Sequence, residues 1–251
     1  MVCAASLWLW QRFTAIDLSD AERTDFRSMH ECFTRRLKPG ARAVDPDPSV
    51  LCSPCDAIVG AFGTVADGKA LQVKGMAYSL GELLGDDAEA AELEGGMFVT
   101  LRLTSAMYHR FHAPCDLTVR HARHVFGDRW NVNPPTLRRV ARLFCRNERV
   151  AVRCALPSGE AVTLVAVAAI LVSAIRLSFL DLETGQGRRE YDCDAAVGKG
   201  AEMGWFEHGS TIVVLAPAGM RMAAGVREGE RIRMGQALLR LPDTRGESSR
   251  T

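Results

Sequence analysis

The sequence predicts an α+β fold that is predominantly β: a compact β-sandwich or barrel-like core behind N-terminal amphipathic helices. Apolar spacing of the helical kind dominates residues 1–38. From residue 39 to residue 251, short β-branched runs alternate with Gly, Pro and Asp turn signals. A composition of 47% hydrophobic and 24% charged residues is enough to fill a sizeable core.

The first element expected is a helix over residues 4–13, AASLWLWQRF, which carries Trp8, Trp10 and Phe13. The stretch SDAERTDFRSMHECFTRRL follows, opening on a capping box in which Ser19 and Glu22 have the S-x-x-E spacing. Phe26, Met29, Phe33 and Leu37 then fall on one helical face. That face has two readings: it docks on the core, or it lies in a lipid interface. Trp8 and Trp10 fit the second, because indole rings favour the headgroup level. KPGARAVDPDP breaks the helical pattern. Beyond it, ADGK at 66–69, LPSGEA at 156–161 and ETGQG at 183–187 mark turns between strands. A short helix is expected from Ser79, where SLGE repeats the capping-box spacing before Leu83 and Leu84. AVTLVAVAAILVSAI, 161–175, is shorter than the roughly 18 residues of a membrane span, and its Val and Ile content suits buried strands. GMRMAAGVREGERIRMGQALLRL alternates short strands with glycine turns, and the final PDTRGESSRT is polar and expected to fray.

A formal charge of +1 does not suggest a nucleic-acid partner. The segment RRLKPGAR is locally basic through Arg35, Arg36, Lys38 and Arg42, which reads as a solvated loop or as attraction to an anionic membrane. Eight scattered cysteines without a secreted-scaffold spacing, and no signal peptide, point to a reducing compartment. CSPC, Cys52 to Cys55, is a lone Cys-x-x-C; without a second pair or a thioredoxin-like pattern it supports neither zinc nor redox chemistry.

Three clusters carry residues able to do chemistry: Asp56 in SPCDAIVG, His109 and His112 in MYHRFHAP, and Ser210 in HGST. A carboxylate that orients a histidine, which takes a proton from a serine, is triad logic. Each residue also has a plain structural reading. Asp56 suits a turn. The histidine pairs His109/His112 and His121/His124 lack an obvious third metal ligand, and Ser210 suits the start of a strand. The G-x-S-x-G of a nucleophile elbow is absent, since Gly209 directly precedes Ser210 and a strand-like run follows.

Seven stretches in order resemble one family, the phosphatidylserine decarboxylases of the bacterial membrane-associated, pyruvoyl-dependent type. They are CFTRRLKPGAR, CSPCDAIVG, VKGMAYSLGELLG, YHRFHAPCD, WNVNPPT, LFCRNERV and KGAEMGWFEHGSTIVVLAP, and they cover most of the chain. The resemblance implies that the chain cuts itself between Gly209 and Ser210, giving a β chain 1–209 and an α chain 210–251 whose Ser210 becomes a pyruvoyl group. It implies His112 as the base, oriented by Asp56, and His109 as an aid to decarboxylation. The amine of phosphatidylserine would form a Schiff base with the pyruvoyl ketone, and phosphatidylethanolamine would leave. No metal is implied. Also implied are a homodimer, residues 1–38 as a membrane-contacting segment, and a peripheral position on the cytoplasmic face of the bacterial inner membrane.

Four positions depart from the family's usual pattern: Arg36, Cys55, Ala57 and His208. If the glycine usual at position 57 needs positive φ, Ala57 strains the turn holding Asp56. Two other functions stay open on the residues alone. One is an uncut serine hydrolase using Asp56, His112 and Ser210; the other is a lipid-surface binding protein that has lost processing.

Overall fold

The computed structural model describes residues 16–73, 75–169, 175–207 and 210–241. Among the described residues the elements start with α1 (Met29–Phe33), β1 (Val50–Cys52), β2 (Ala57–Thr64), β3 (Lys69–Val73), β4 (Met76–Ser79), α2 (Leu80–Leu84) and α3 (Asp87–Glu92). It continues with β5 (Met97–Leu103), β6 (Arg110–His112), β7 (Leu117–Val125), α4 (Pro134–Leu137), α5 (Leu143–Arg146), β8 (Arg149–Ala155) and β9 (Ala161–Ala168). The last elements are β10 (Ile175–Leu177), β11 (Arg188–Val197), β12 (Glu202–Phe206), β13 (Ser210–Ala216), β14 (Arg221–Met222), β15 (Arg231–Ile232) and β16 (Ala237–Arg240).

The frame is an eight-stranded antiparallel sheet in the order β11-β7-β8-β9-β13-β5-β2-β15. Two three-stranded sheets, β1-β16-β14 and β10-β12-β6, and the hairpin β3-β4 complete it. Among the described residues none of the sheets closes into a barrel.

β13 shows why a run such as STIVVLA is apolar at nearly every position. Ile212, Val214 and Ala216 point into one core, shared with Phe111, Phe206 and Leu239. Val213 and Leu215 point into a second core, under Tyr78, Leu83, Leu143 and Phe144. A strand covered on both faces reads as continuous apolar sequence rather than as an alternation. The edge strand β11 is the contrast: RREYDCDAAV is exposed or half-buried throughout, and its charges discourage pairing with another chain.

The turn signals lie where the sequence places them. ADGK joins β2 to β3 with Asp67 and Gly68 at φ 54° and 64°. LPSGEA joins β8 to β9, and ETGQG precedes β11. Ser79 caps α2 by accepting from Glu82 N–H at 3.3 Å. The 161–175 run supplies β9 and the start of β10, and no helix among the described residues is long and apolar enough to cross a membrane. The seven cysteines among the described residues are free thiols.

The N-terminal helical expectation needs correction. The helix over residues 4–13 and the polar tail 242–251 lie outside the described residues. The helix expected from Ser19 starts ten residues later and spans only Met29–Phe33, capped by Ser28, whose Oγ accepts from Glu31 N–H at 3.0 Å. Backbone pairing explains the delay. Glu22 N–H donates to Arg36 O and Lys38 N–H to Asp20 O, each at 2.9 Å, so residues 20–22 lie extended against 36–38. Phe33 is buried, its ring 4.1 Å from that of His109, while Phe26, Met29 and Leu37 are half-buried.

Several glycines in this frame have no room for a side chain, and Gly204 is one of them. A Cβ on Gly204 in β12 would overlap the Arg176 carbonyl oxygen and the Phe111 ring. Gly204→Ala is therefore expected to destabilise the protein by about 3 kcal/mol, the upper range for overpacking a core. Thermal unfolding against the parent reads this directly, and an unchanged midpoint would mean that β10 can move away from β12.

Candidate active site

Ser210 opens β13 at one end of the large sheet, opposite Leu103 of β5 on one side and Ala168 of β9 on the other. It is fully buried, and among the described residues its Oγ makes no hydrogen bond. A buried hydroxyl without a structural partner calls for an explanation. Here it leaves the oxygen available to react. His208 and Gly209, on which the expected cut depends, lie outside the described residues.

Asp56 sits at the same sheet end. β5 stands between β2 and β13, with Ile58 opposite Arg102, and Arg102 opposite Thr211. Asp56 and Ser210 thus flank the end of β5, about two strand spacings (~10 Å) apart. The Asp56 carboxylate takes three hydrogen bonds from Arg42, at 2.6, 2.9 and 3.2 Å, and one from Met234 N–H at 2.9 Å. Arg42 also reaches Asp20 at 2.7 Å, and Asp56 first, then Asp20, hold its guanidinium in the charged form against burial. Ala57 is not strained: among the described residues the only non-glycine residues at positive φ are Asp67 and Arg142, and Ala57 lies fully buried at the start of β2. Cys55 is equally buried, and burial pushes its thiol up, away from the thiolate.

His112 ends β6 and is locked to the Asp56 turn through the backbone, donating its N–H to Pro54 O at 2.8 Å. Its ring is not hydrogen-bonded to Asp56, contrary to the orientation the resemblance implies. Nδ1 lies 3.0 Å from Gly200 O, and Nε2 lies 3.0 Å from the Tyr108 hydroxyl. A carbonyl only accepts, so in the neutral ring Nδ1 carries the hydrogen, and Nε2 is the basic atom that receives the Tyr108 O–H. Burial lowers the His112 pKa, outweighing the Gly200 carbonyl and the more distant Glu202 and Asp56. The Asp56 oxygens are taken by Arg42 instead.

His109 is fully buried under Phe33. Its carbonyl accepts Phe206 N–H at 2.9 Å, which ties it to the strand that leads into residues 207–210. His121 and His124 belong elsewhere. Both lie on β7, His121 against Glu190 at 2.9 Å and His124 against Glu148 at 3.1 Å. Among the described residues no group of three His, Cys, Asp or Glu side chains is gathered as metal ligands would be.

A model of the family described as phosphatidylserine decarboxylase matches residues 29–240, which include Asp56, both site histidines and Ser210. The chain belongs to the phosphatidylserine decarboxylase family. Relatives named phosphatidylserine decarboxylase proenzyme agree with it over nearly their whole lengths. The one from Xanthomonas axonopodis pv. citri is 37% identical over 246 residues, covering 93% of this chain and 88% of its own. The one from Xanthomonas euvesicatoria pv. vesicatoria is 38% identical over 250 residues, covering 94% and 89%. The one from Brevibacillus brevis is 36% identical over 232 residues, covering 89% and 83%.

Three residues of this decarboxylase-family site were not legible as such in the sequence. Arg42 reads there as part of a basic loop, yet it is folded inward with Arg35, leaving Arg36 and Lys38 on the outside. Tyr108, four residues before His112, and Gly200, through its carbonyl, set the tautomer of the histidine. Only Tyr108 carried a signal, as a hydroxyl within the MYHRFHAP cluster.

Proposed function

We propose that this chain cuts its own Gly209–Ser210 bond and then decarboxylates phosphatidylserine to phosphatidylethanolamine. The observation that carries the proposal is a family match running through the Gly-Ser-Thr step, joined to a buried Ser210 hydroxyl with no structural hydrogen bond among the described residues. In the cut, Ser210 Oγ adds to the Gly209 carbonyl and displaces its own nitrogen, exchanging an amide for an ester. His112 Nε2 takes the hydroxyl proton once Tyr108 swings aside. Asp56, through space, favours the imidazolium that results. Elimination across Cα–Cβ of residue 210 releases the Gly209 carboxylate, and hydrolysis then frees ammonia.

The strand neighbours of Ser210 are compatible with the pyruvoyl group so formed. A methyl in place of the hydroxymethyl loses no hydrogen bond to the described residues, and Leu103 and Ala168 flank it. When formed, that group supplies an electron sink for amine substrates. His109, held at the entrance to residues 207–210, is proposed to assist loss of carbon dioxide by hydrogen bonding or proton transfer.

The fold accounts for how two chains stay together. β13 lies in the middle of the large sheet, and β14, β15 and β16 pair with β16, β2 and β1. A chain 210–251 would therefore remain clamped by both cores. Membrane contact through residues 1–38, with Arg36 and Lys38 exposed at its C-terminal end, belongs to the same proposal, as do a homodimer and a peripheral place on the cytoplasmic face of the inner membrane.

The pH dependence of the cut tests the base. Protonated His112 cannot accept a proton, and its folded pKa lies below the usual histidine value, so the rate is expected to fall only below pH about 6.5 and to stay flat above it. Freshly translated precursor, stopped at intervals and resolved by mass, gives that profile. A rate still climbing between pH about 7 and 9 would assign the proton to a group of higher pKa, contrary to the proposal.

A further inference from the structure

The cavity beside Asp56 has a half that the cleavage chemistry leaves unused. It encloses about 160 Å³, and its wall includes Arg35, Arg42, Asp56, Tyr108, Arg231 and Arg233. Arg42 is matched by two carboxylates, Asp20 and Asp56. Arg35 is buried and donates only to carbonyls, those of Cys32 at 3.0 Å and Ala106 at 3.2 Å, so its charge has no counter-ion in contact among the described residues.

Arg231 and Arg233 reach this cavity because of strand geometry. Side chains alternate along β15 and its continuation, so the residues on either side of buried Ile232 emerge together. Ile232 pairs with Ala57, and Met234 N–H binds Asp56, which fixes both arginines beside the Asp56 turn. Neither guanidinium makes an ion pair among the described residues. The other acid on the wall is Asp17, whose charged form is favoured first by hydrogen bonds from Ser19 and then by Arg233 through space. Cations therefore outnumber carboxylates on this wall, and Arg231 and Arg233 are the exposed ones. The strand order sets β15 three strands from β13, ~14 Å at the usual spacing. Thr104, which follows the Leu103 opposite Ser210, lines the same cavity, so the cavity crosses most of that interval.

We propose that Arg231 and Arg233, with Arg35 behind them, seat the phosphodiester of the lipid headgroup. The planar guanidinium donates two parallel hydrogen bonds to a phosphate, which fits a site that must orient as well as attract. The assignment rests on the decarboxylase reading, and it has a consequence for the cut protein. The chain 210–251 would carry both the reacting group and the phosphate clamp, while the chain 1–209 carries Asp56, Tyr108 and Arg35.

The test uses the full chain carrying Ser210→Ala, which binds without turnover, and calorimetric titration with glycerophosphoserine and with glycerophosphoethanolamine. Both soluble headgroups carry the phosphodiester, but only the first carries the carboxylate. Adding R231Q and R233Q together is expected to weaken both titrations about tenfold or more, the usual scale for hydrogen bonds to a charged group. R231K with R233K should recover part of the loss, and the thermal midpoint should be unchanged, since both side chains are exposed. Equal affinities with and without the arginines would overturn the assignment, as would absence of binding to the parent. A loss confined to glycerophosphoserine would overturn it too, by moving the arginines to the carboxylate. Failure of the decarboxylase reading shows separately, as a wild-type chain that is never cut.

Discussion

His112→Ala is expected to accumulate as an uncut chain. Ser210 Oγ is a weak nucleophile until a base takes its proton, and a positioned base contributes roughly 10²- to 10⁴-fold. Within His112 the basic atom is Nε2, because Nδ1 is committed to the Gly200 carbonyl and burial favours the neutral ring. Removing the ring also frees the Tyr108 hydroxyl, which cannot replace it, since burial raises the Tyr108 pKa far above neutrality. Tyr108→Phe separates the two roles. It keeps the base and removes only the group that holds it, so the cut should slow by much less than in His112→Ala. Time courses of newly made protein, resolved by mass, measure both. Equal rates for wild type and His112→Ala would show that the proton goes elsewhere.

Arg42→Met is expected to lower stability by about 3–5 kcal/mol, the cost of leaving a buried carboxylate without its partner. For a chain of this length that corresponds to a thermal shift of roughly 10 °C. Asp56 retains only 12% of its side-chain exposure and would keep a single donor, Met234 N–H. The free carboxylate should also swing toward other donors, and the cut should slow with it. Pairing Arg42→Met with Asp56→Asn decides the cause. The double variant removes the unmatched charge, so it should be more stable than Arg42→Met alone. A double variant no more stable than the single one would mean that the ion pair contributes through packing, not through charge.

How far the sequence reveals this protein depends on the range of the interaction involved. Local signals were legible: the turn at Asp67 and Gly68, the Ser79 cap, and the β-branched run of β13 are all set by residues a few positions apart. The seven collinear stretches led to the family and to Ser210. Contacts between distant segments were hidden. Ser19 and Glu22 have capping-box spacing, but pairing of residues 20–22 with 36–38 overrides it. Arg42 looks like surface charge until the fold brings Asp56 to within 2.6 Å. Even the expected Asp56–His112 contact fails for this reason, since the arginine takes the carboxylate oxygens and a backbone carbonyl takes the ring.

The central claim is the cut at Gly209–Ser210, and the mass of the freshly purified protein under denaturing conditions tests it most directly. Two chains are expected, 1–209 and 210–251, which travel together under native conditions because β13 is held in the middle of the sheet. The small chain should be lighter than a serine-initiated peptide by one ammonia, and Ser210→Ala should stay whole. A single uncut wild-type chain would contradict the account, and so would a small chain that still begins with serine.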